Sequence, residues 1–296
     1  SVLFPLEILL FNISMNSMMP LLLSTVSATV VSYVFLGHSL PFQCTLTPFS
    51  MWNIPFYILL GLVSGAVSLY FIRMTLWLED RLGKFLNRYA RWACCAAALG
   101  LLIFLFPPLY GEGYDSLGVL LNGGVVDMDG QTPLAFMLHW RWGVPVFFLL
   151  ILLLKVFSMT LTNAGGGVGG TFGPTLFVGA ITGFVVARII NLVFAGADIS
   201  VPEQNFVLVG MAALMAGVMQ APMTAIFLIA EITGGYDLFL PLIIASCFSF
   251  GSIRLVEKYS IYTKRIAQSG KLLTHDNDQA VLTLLKTSDL VRDTSP

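Results

Sequence analysis

Long apolar runs, separated by short polar connectors, make up most of the chain and predict membrane-spanning helices. A helix needs about 20 consecutive apolar residues to cross the hydrocarbon core of a bilayer. The runs that reach this length, or that predict shorter helices between the spans, are residues 15–36, 54–78, 92–106, 144–162, 175–193, 206–219, 221–232 and 238–253. We therefore predict an all-α, polytopic membrane protein.

The charged connectors predict the orientation of these helices. Residues 79–91 carry four basic side chains, and further basic residues follow from Arg254 onward, so both segments are expected in the cytoplasm. Residues 111–138 carry four acidic side chains and no Lys or Arg, so this connector is expected outside.

A glycine-rich stretch at residues 165–174, Gly-Gly-Gly-Val-Gly-Gly-Thr-Phe-Gly-Pro, separates two of the apolar runs. In hydrocarbon, irregular backbone survives only where it is buried in protein or lines a cavity, because each N–H and C=O needs a partner. A helix that restarts after such a break directs free N–H groups and a positive dipole end to one point. That point is a natural anion site, and broken helices form the ion sites of many transporters.

The glycines also fit other interpretations. Small residues also allow close packing between membrane helices, and this alternative stays open. The spacing Gly165-x-Gly167-x-x-Gly170 fits a dinucleotide fingerprint, which requires an acidic residue about 20 positions later. Residues 189–193 read Ile-Ile-Asn-Leu-Val, so that interpretation is rejected. A P-loop is excluded because no Lys-Ser or Lys-Thr pair follows.

Composition agrees with a polytopic membrane protein and argues against nucleic acid as a partner. The chain has 296 residues, of which 57% are hydrophobic and 10% charged, whereas a soluble domain carries about 25% charged residues. The net charge of −1 argues against nucleic acid as a partner. The cysteines show no metal-ligand spacing, and the His-Asp-Asn-Asp run at 275–278 is typical of a solvated tail, so no metal is expected.

Two acidic residues, Glu7 and Glu231, lie within apolar segments, where an ionisable group is a functional candidate by default. Their surroundings are similar: residues 225–231 resemble residues 1–7, and a proline-led apolar segment follows each. Such an echo is the trace that inverted repeats leave in transporters. We expect one complete repeat near the C-terminal end and only the tail of the other. No signal peptide is recognisable, and the chain opens inside apolar sequence, so upstream residues are expected.

Together these motifs resemble the CLC family of chloride channels and chloride/proton antiporters. Residues 169–174 fit the family's G-x-F-x-P anion motif, and residues 221–234 fit its later A-P-x-T helix with a glutamate. Residues 258–262 fit its last membrane helix, and residues 2–7 fit the segment that closes its first repeat. The matches follow the family's order from residue 1 to about residue 265.

The resemblance implies roles for particular residues. Backbone N–H groups of Thr171 and Phe172 would hold a dehydrated chloride ion, and the Tyr262 hydroxyl would donate to the same ion. The chloride would be a substrate, with no cofactor. The residues assigned in this way to the anion site are Gly170, Thr171, Phe172, Gly173, Pro174 and Tyr262.

At Glu7 and Ile8 the chain departs from the pattern of the family's antiporters. Antiporters of the family carry adjacent glutamates here, and the second accepts the proton on the inner side. Ile8 cannot carry a proton, which favours passive conduction or a non-standard proton path that uses Glu7 or water. Glu7 and Ile8 are therefore the proton-path or gating candidates, whereas Glu231 is expected to have a structural role. The family's external gating glutamate lies upstream of this chain.

The expected fold is an inverted-repeat CLC-type fold with broken, tilted helices, truncated at its N-terminus. Residues 1–14 would be the tail of the first repeat, residues 15–262 the remaining transmembrane helices, and residues 263–296 a cytoplasmic linker toward absent CBS domains. The family forms homodimers with one pore per subunit. The spans at 15–36 and 54–78 and the last two helices would build the interface, in a prokaryotic plasma membrane.

Three classes of function compete. The leading one is a voltage-gated-type chloride channel or chloride/proton antiporter, with nitrate or fluoride as alternative anions; the chain alone is not expected to conduct. An enzyme would need converging nucleophile and base or metal ligands, yet the three histidines lie in connectors or the tail, and neither H-E-x-x-H nor G-x-S-x-G occurs. A scaffolding subunit would leave the glycine break unexplained.

Overall fold

A computed structural model of the chain describes residues 3–8, 15–37, 46–84, 87–121, 137, 140, 142–195, 200–257 and 259–268. Within these ranges the regular structure is helical and no strand occurs. The helices are α1 (Leu3–Ile8), α2 (Met15–Leu36), α3 (Ile54–Gly83), α4 (Arg88–Leu105), α5 (Tyr114–Leu121), α6 (Gly143–Ala164), α7 (Phe172–Val193), α8 (Glu203–Met219), α9 (Pro222–Ile232), α10 (Phe239–Arg254) and α11 (Ile261–Gln268). Short 3₁₀ turns at Met51–Asn53 and Pro107–Leu109 precede α3 and follow α4.

The predicted all-α membrane architecture is confirmed. In the described part of the chain, α2, α3, α4, α6 and α7 are long and apolar enough to cross a bilayer. Three shorter apolar helices, α8, α9 and α10, pack among them. The predicted split between α8 and α9 falls at Gln220, whose φ of 53° lies in the left-handed region, and Pro222 opens α9.

The predicted connector at 79–91 is too long, because α3 continues through Gly83 and α4 already begins at Arg88. Side-chain pairs one turn apart support this extension. The Lys84 ammonium lies 2.7 Å from the Asp80 carboxylate, and the Arg81 guanidinium lies 5.3 Å from the centre of the Trp77 ring. Such pairs stabilise a helix at the membrane edge, where apolarity alone no longer marks it.

Helix α5 lies in the connector at 111–138 that the sequence left without structure. Leu117, Leu120 and Leu121 are buried on one side of it and join the core. Their spacing of three and four residues is typical of a helix. The pattern is short and has acidic residues around it, so the sequence did not predict a helix here. Residues 122–136, which include Asp127 and Asp129, lie outside the described residues.

The centre of the core is α8, in which residues 205–219 are all buried. It packs against α3, α7, α9 and α10. Its closest crossing is with α7, where a Cβ added to Gly179 would lie 2.6 Å from the Gly210 carbonyl oxygen, and one added to Gly183 would overlap the Phe206 carbonyl. Small residues that let two backbones touch in this way are typical of membrane helix pairs. This crossing fixes α7 in place.

Helices α2 and α4 lie at the outside of the described structure. Large apolar side chains of α2, among them Leu23, Val34 and Phe35, are exposed, as are Leu101 and Phe104 of α4. Apolar surface of this extent is the kind that membranes or other protein chains cover.

Several sequence predictions fall on residues that the structure does not describe. These include His38, Cys44, His139 and Lys258, and the tail at 269–296 with its His-Asp-Asn-Asp run. Of the predicted segment at 1–14, the described part is α1, and of the predicted linker at 263–296, only the end of α11 is described.

The α7–α8 crossing makes a stability prediction. Gly183→Ala places a methyl group against the Phe206 carbonyl and should destabilise the fold by about 1–3 kcal/mol, the usual cost of overpacking. Thermal unfolding in detergent measures the effect. The control is Gly251→Ala on α10, where an added Cβ meets nothing within 4 Å. Equal melting temperatures for the two variants would contradict the close crossing.

Candidate functional site

The glycine break begins with a defined helix end. After α6 stops at Ala164, the Gly166 N–H donates to the Asn163 carbonyl at 3.1 Å, and the Gly167 N–H donates to the Thr162 carbonyl at 2.9 Å. Gly166 has a φ of 104°, which side chains rarely adopt. This pair of bonds around a left-handed glycine is a Schellman motif. The glycine at 166 therefore turns the chain sharply away from α6.

The remaining glycines of the break serve the loop rather than a helix interface. The Asn163 side chain accepts from the Gly169 N–H at 3.0 Å, which holds the loop against the end of α6. An added Cβ would meet nothing within 4 Å at Gly166 and only the Phe172 nitrogen, at 3.9 Å, at Gly170. Gly165 alone approaches another helix, at the Cβ of Cys95. Close helix packing through small residues, the alternative interpretation of the glycines, is therefore found at the α7–α8 crossing.

Helix α7 restarts at Phe172, three residues earlier than the predicted start at residue 175. Pro174 is compatible with this start, because the first turn of a helix does not use the N–H that proline lacks. The Thr175 N–H donates to the Thr171 carbonyl at 3.0 Å. The N–H groups of Phe172 and Gly173 have no acceptor among the described residues. They lie at the N-terminal end of α7, where the helix dipole is positive.

Thr171 and Tyr262, 91 positions apart in the chain, meet at this helix start. The Thr171 hydroxyl donates to the Tyr262 phenolic oxygen at 2.8 Å. A threonine at this position usually caps its own helix, but the side chain of Thr171 makes no such cap. Its hydroxyl is used across the fold, so the N–H groups stay open and the phenolic proton of Tyr262 is available to another acceptor.

The second broken-helix start, at α9, is closed by a carboxylate of the protein itself. Glu7 accepts from the Met223 N–H at 3.0 Å, from the Thr224 N–H at 2.7 Å and from the Thr224 hydroxyl at 2.8 Å. A carboxylate is a favoured partner for a helix N-terminus. The sequence motifs predicted both helix starts, but only the structure distinguishes the closed one from the open one.

Helix α1 joins the two starts. Besides carrying Glu7, it places the Phe4 ring edge-on to Phe172, with centroids 5.7 Å apart. Ile8 is the last residue of α1, and its side chain lies outside the described set. Glu231, near the end of α9, is exposed and has no side-chain partner among the described residues, so its structural role stays a prediction.

The sequence motifs did not identify two charged residues that lie near the N-terminal part of α7. The Lys155 ammonium on α6 is buried, donates to the carbonyls of Leu109 at 3.2 Å and Gly111 at 2.8 Å, and lies 4.5 Å from the centre of the Phe177 ring. The Glu112 carboxyl carbon lies 3.3 Å from the position of a Cβ on Gly173. The signal for Lys155 was its place as the single charge in an apolar run. Nothing in the sequence singled out Glu112.

A cluster of polar residues holds α11, and hence Tyr262, against the membrane part. The Glu257 carboxylate lies 2.8 Å from the Lys264 ammonium on α11 and 3.4 Å from the Arg73 Nε on α3. The Glu257 carbonyl accepts from the Gln220 amide at 2.9 Å, and the same amide group accepts from Arg254 at 3.1 Å. We call these five residues the α11 clamp.

Comparison with known proteins agrees with the family resemblance of the sequence motifs. The family profile described as "Voltage gated chloride channel" matches residues 1–254. A ClcB-like protein of Ralstonia nicotianae is 30% identical over 272 residues, which are 90% of this chain and 58% of the relative. The H(+)/Cl(-) exchange transporter ClcA of Vibrio cholerae is 26% identical over 272 residues, or 88% of this chain and 53% of the relative. The chain thus spans about half the length of these relatives.

A solved structure supports the fold. The crystal structure titled as a slow cyanobacterial Cl-/H+ antiporter superposes with a TM-score of 0.69 at 21% sequence identity. The superposition covers 90% of this chain and 60% of the other. The arrangement of broken and tilted helices is therefore shared, at an identity that reflects the fold alone.

The α11 clamp predicts that the stability of the fold depends on pH. Burial by itself would raise the pKa of Glu257, but the hydrogen bonds and charges of Lys264 and Arg73 outweigh it and hold the pKa below its ordinary value of 4.5. The stabilisation is therefore present above about pH 4.5 and is lost as the pH falls through the lower pKa of the folded state. Glu257→Gln should remove about 1 kcal/mol at neutral pH, the scale of partly exposed ion pairs.

Thermal unfolding at pH 7 and at pH 3.5 checks this prediction. The melting temperature of Glu257→Gln should lie below that of the unaltered protein at pH 7, and the difference should shrink at pH 3.5. Asp80→Asn is the matched control, since the Asp80–Lys84 pair is exposed on a helix surface. A difference between Glu257→Gln and the unaltered protein that does not change with pH would contradict the assignment.

Proposed function

The chain belongs to the voltage-gated chloride channel (CLC) family, and from this premise we propose that it forms the second half of a chloride pathway across a membrane. The observation that carries the proposal is the open start of α7. There the N–H groups of Phe172 and Gly173, which have no acceptor in the described part of the chain, lie beside the linked hydroxyls of Thr171 and Tyr262. A dehydrated monovalent anion is the ligand that such a group of donors fits.

The mechanism is an exchange of water for fixed donors. As chloride sheds water, backbone N–H groups at the start of α7 and the phenolic O–H of Tyr262 replace part of its hydration shell. The positive end of the α7 dipole adds a charge that needs no reorientation. Conduction also requires that the ion leave, so the site has to hold it weakly. Backbone donors without a full cationic side chain in direct contact meet that requirement.

The cap on α9 supports this proposal from within the same molecule. Glu7 shows that a broken-helix start in this fold binds an anionic group through two N–H donors and a threonine hydroxyl. Thr171 stands at the α7 start, but no carboxylate accepts from the N–H groups there among the described residues. A soluble anion would therefore supply at α7 what Glu7 supplies at α9.

The exposed apolar surface supports a proposal for how the chain assembles in the membrane. The exposed apolar side chains of α2 suit an interface with a second copy or with lipid. We propose a homodimer in which α2, α3 and the last two membrane helices meet their counterparts, with one pathway in each subunit. A prokaryotic plasma membrane is the expected location.

Direct anion binding tests the proposal. Calorimetry with chloride in detergent should detect binding that Tyr262→Phe weakens about tenfold, the loss expected for one hydrogen bond to a charged partner. Tyr259→Phe is the control, because the exposed Tyr259 lies three residues away and makes no contact with Thr171. Absence of binding to the unaltered protein would refute the chloride site. A preference for fluoride or nitrate in the same titration would change the proposed substrate.

Proton-coupled exchange is the second candidate, since relatives such as ClcA carry that name. The engagement of both Glu7 oxygens argues against it. One oxygen accepts from the Met223 N–H and the other from Thr224, so protonation of Glu7 would weaken the cap on α9. With Ile8 beside it in the chain, no free carboxylate is offered by this pair. We therefore favour passive chloride movement.

Flux measurements in proteoliposomes decide between the two candidates. Chloride should move without uphill proton pumping, and Ile8→Glu should introduce pumping by adding a free carboxylate to α1. Ile8→Gln, which is polar but cannot titrate, is the control. Uphill proton movement by the unaltered protein would show that Glu7 or another group carries the proton.

A further inference from the structure

The loop between α4 and α5 has a backbone shape that fixes the direction of Glu112. Gly111 and Gly113, on either side of this residue, have φ values of 59° and 85°. Both angles lie in the region that side chains rarely adopt. The sequence Gly-Glu-Gly thus bends the chain twice within three residues and presents the single side chain between the bends.

Two contacts anchor this loop, one on the C-terminal half of α6 and one on the second turn of α7. The buried Lys155 ammonium donates to the carbonyls of Leu109 and Gly111. On the other side of Glu112, Gly113 touches the ring of Phe177 so closely that an added Cβ would overlap it. Since Lys155 also lies over the same ring, the loop, the ammonium and Phe177 form one packed unit.

The result of this anchoring is that Glu112 lies against the open start of α7. Its carboxyl carbon is 3.3 Å, and its Oε1 3.5 Å, from the position of a Cβ on Gly173. The Gly173 N–H is one of the groups without an acceptor among the described residues. The Glu112 side chain and the proposed anion site therefore adjoin at Gly173. Any larger residue at position 173 would fill the space beside the carboxylate.

We propose that Glu112 sets the affinity of the anion site: its carboxylate borders the donors of α7, opposes a bound anion and keeps that binding weak enough for release. This inference rests on the proposed function. Charges a few ångströms apart interact appreciably even at the effective dielectric of a protein surface. Lys155 offsets part of the repulsion, because its ammonium holds the same loop, and its own two carbonyl partners fix its position.

An ordinary solvated glutamate would behave differently. Glu112 is exposed, and the usual expectation for an exposed carboxylate is a freely moving side chain with little effect on its neighbours. The two left-handed glycines and the Lys155 anchor remove that freedom for the backbone. A residue that only decorated the surface would change neither anion affinity nor selectivity when neutralised.

The test is anion titration of the full chain in detergent with sodium chloride and sodium bromide, followed by calorimetry. Glu112→Gln keeps the shape and removes the charge, so both halides should bind about tenfold more tightly. Asp237→Asn is the control for charge alone, since Asp237 is exposed on the connector between α9 and α10. Its affinity should equal that of the unaltered protein.

A second variant moves the carboxylate without removing it. Gly113→Ala places a methyl group against the Phe177 ring in a strained conformation, so the loop should leave α7 and halide affinity should rise as in Glu112→Gln. Gly118→Ala on α5, where an added Cβ meets nothing within 4 Å, is the matched control and should bind as the unaltered protein does.

The outcomes separate the two levels of inference. Tighter binding by Glu112→Gln and Gly113→Ala than by the unaltered protein, with both controls unchanged, supports the role of Glu112. Halide binding that is the same in Glu112→Gln and the unaltered protein overturns the role while leaving the proposed function intact. Failure of every variant to bind either halide overturns the proposed function and, with it, the role of Glu112.

Discussion

The N–H groups at the start of α7, for which the described residues offer no acceptor, are the constraint on which the rest of this structure depends. Buried backbone donors are costly without a partner, and most helices cap them. Here the residue best placed to cap them, Thr171, directs its hydroxyl to Tyr262 instead. The fold thus holds a helix end in a state that an anion can complete, which explains the concentration of unusual features around residues 165–174.

The surrounding packing keeps that helix end in place. Gly179 and Gly183 bring the backbone of α7 into contact with α8, the most deeply buried helix of the described structure. At the other end of the break, the left-handed Gly166 turns the chain away from α6. Glycine therefore serves two different purposes in one region: it permits close approach within helices, and it permits a sharp turn between them.

Charged residues around the start of α7 divide into those that close a helix end and those that adjust an open one. Glu7 caps α9 from inside the fold, and the α11 clamp holds the helix that carries Tyr262. Lys155 on α6 holds the loop after α4, and Glu112 of that loop lies beside Gly173. The acidic connector that contains this loop is predicted to lie outside. The proposed anion site is consequently bordered by groups from α1, α6, α7, α11 and a loop, none of which would form it alone.

The sequence by itself determined the membrane class, the helix order, the glycine break and the family, because apolar run length, charge bias and glycine spacing are local properties. It also indicated Thr171, Phe172 and Tyr262 through their motifs. It could not indicate that α3 continues to Gly83, that α5 exists, or that Glu112 adjoins Gly173. Those facts depend on side-chain pairs, on short buried stretches and on the approach of a loop 61 positions away in the chain.

Tertiary structure alone decided which of the two helix starts is open. Glu7 and Met223 are 216 positions apart, and no local pattern states that this carboxylate reaches α9 rather than α7. Hydrogen bonds have short range and strict direction, so they form only after packing has brought two segments together. The motif can therefore announce a helix N-terminus, but its free or occupied state is a property of the folded chain.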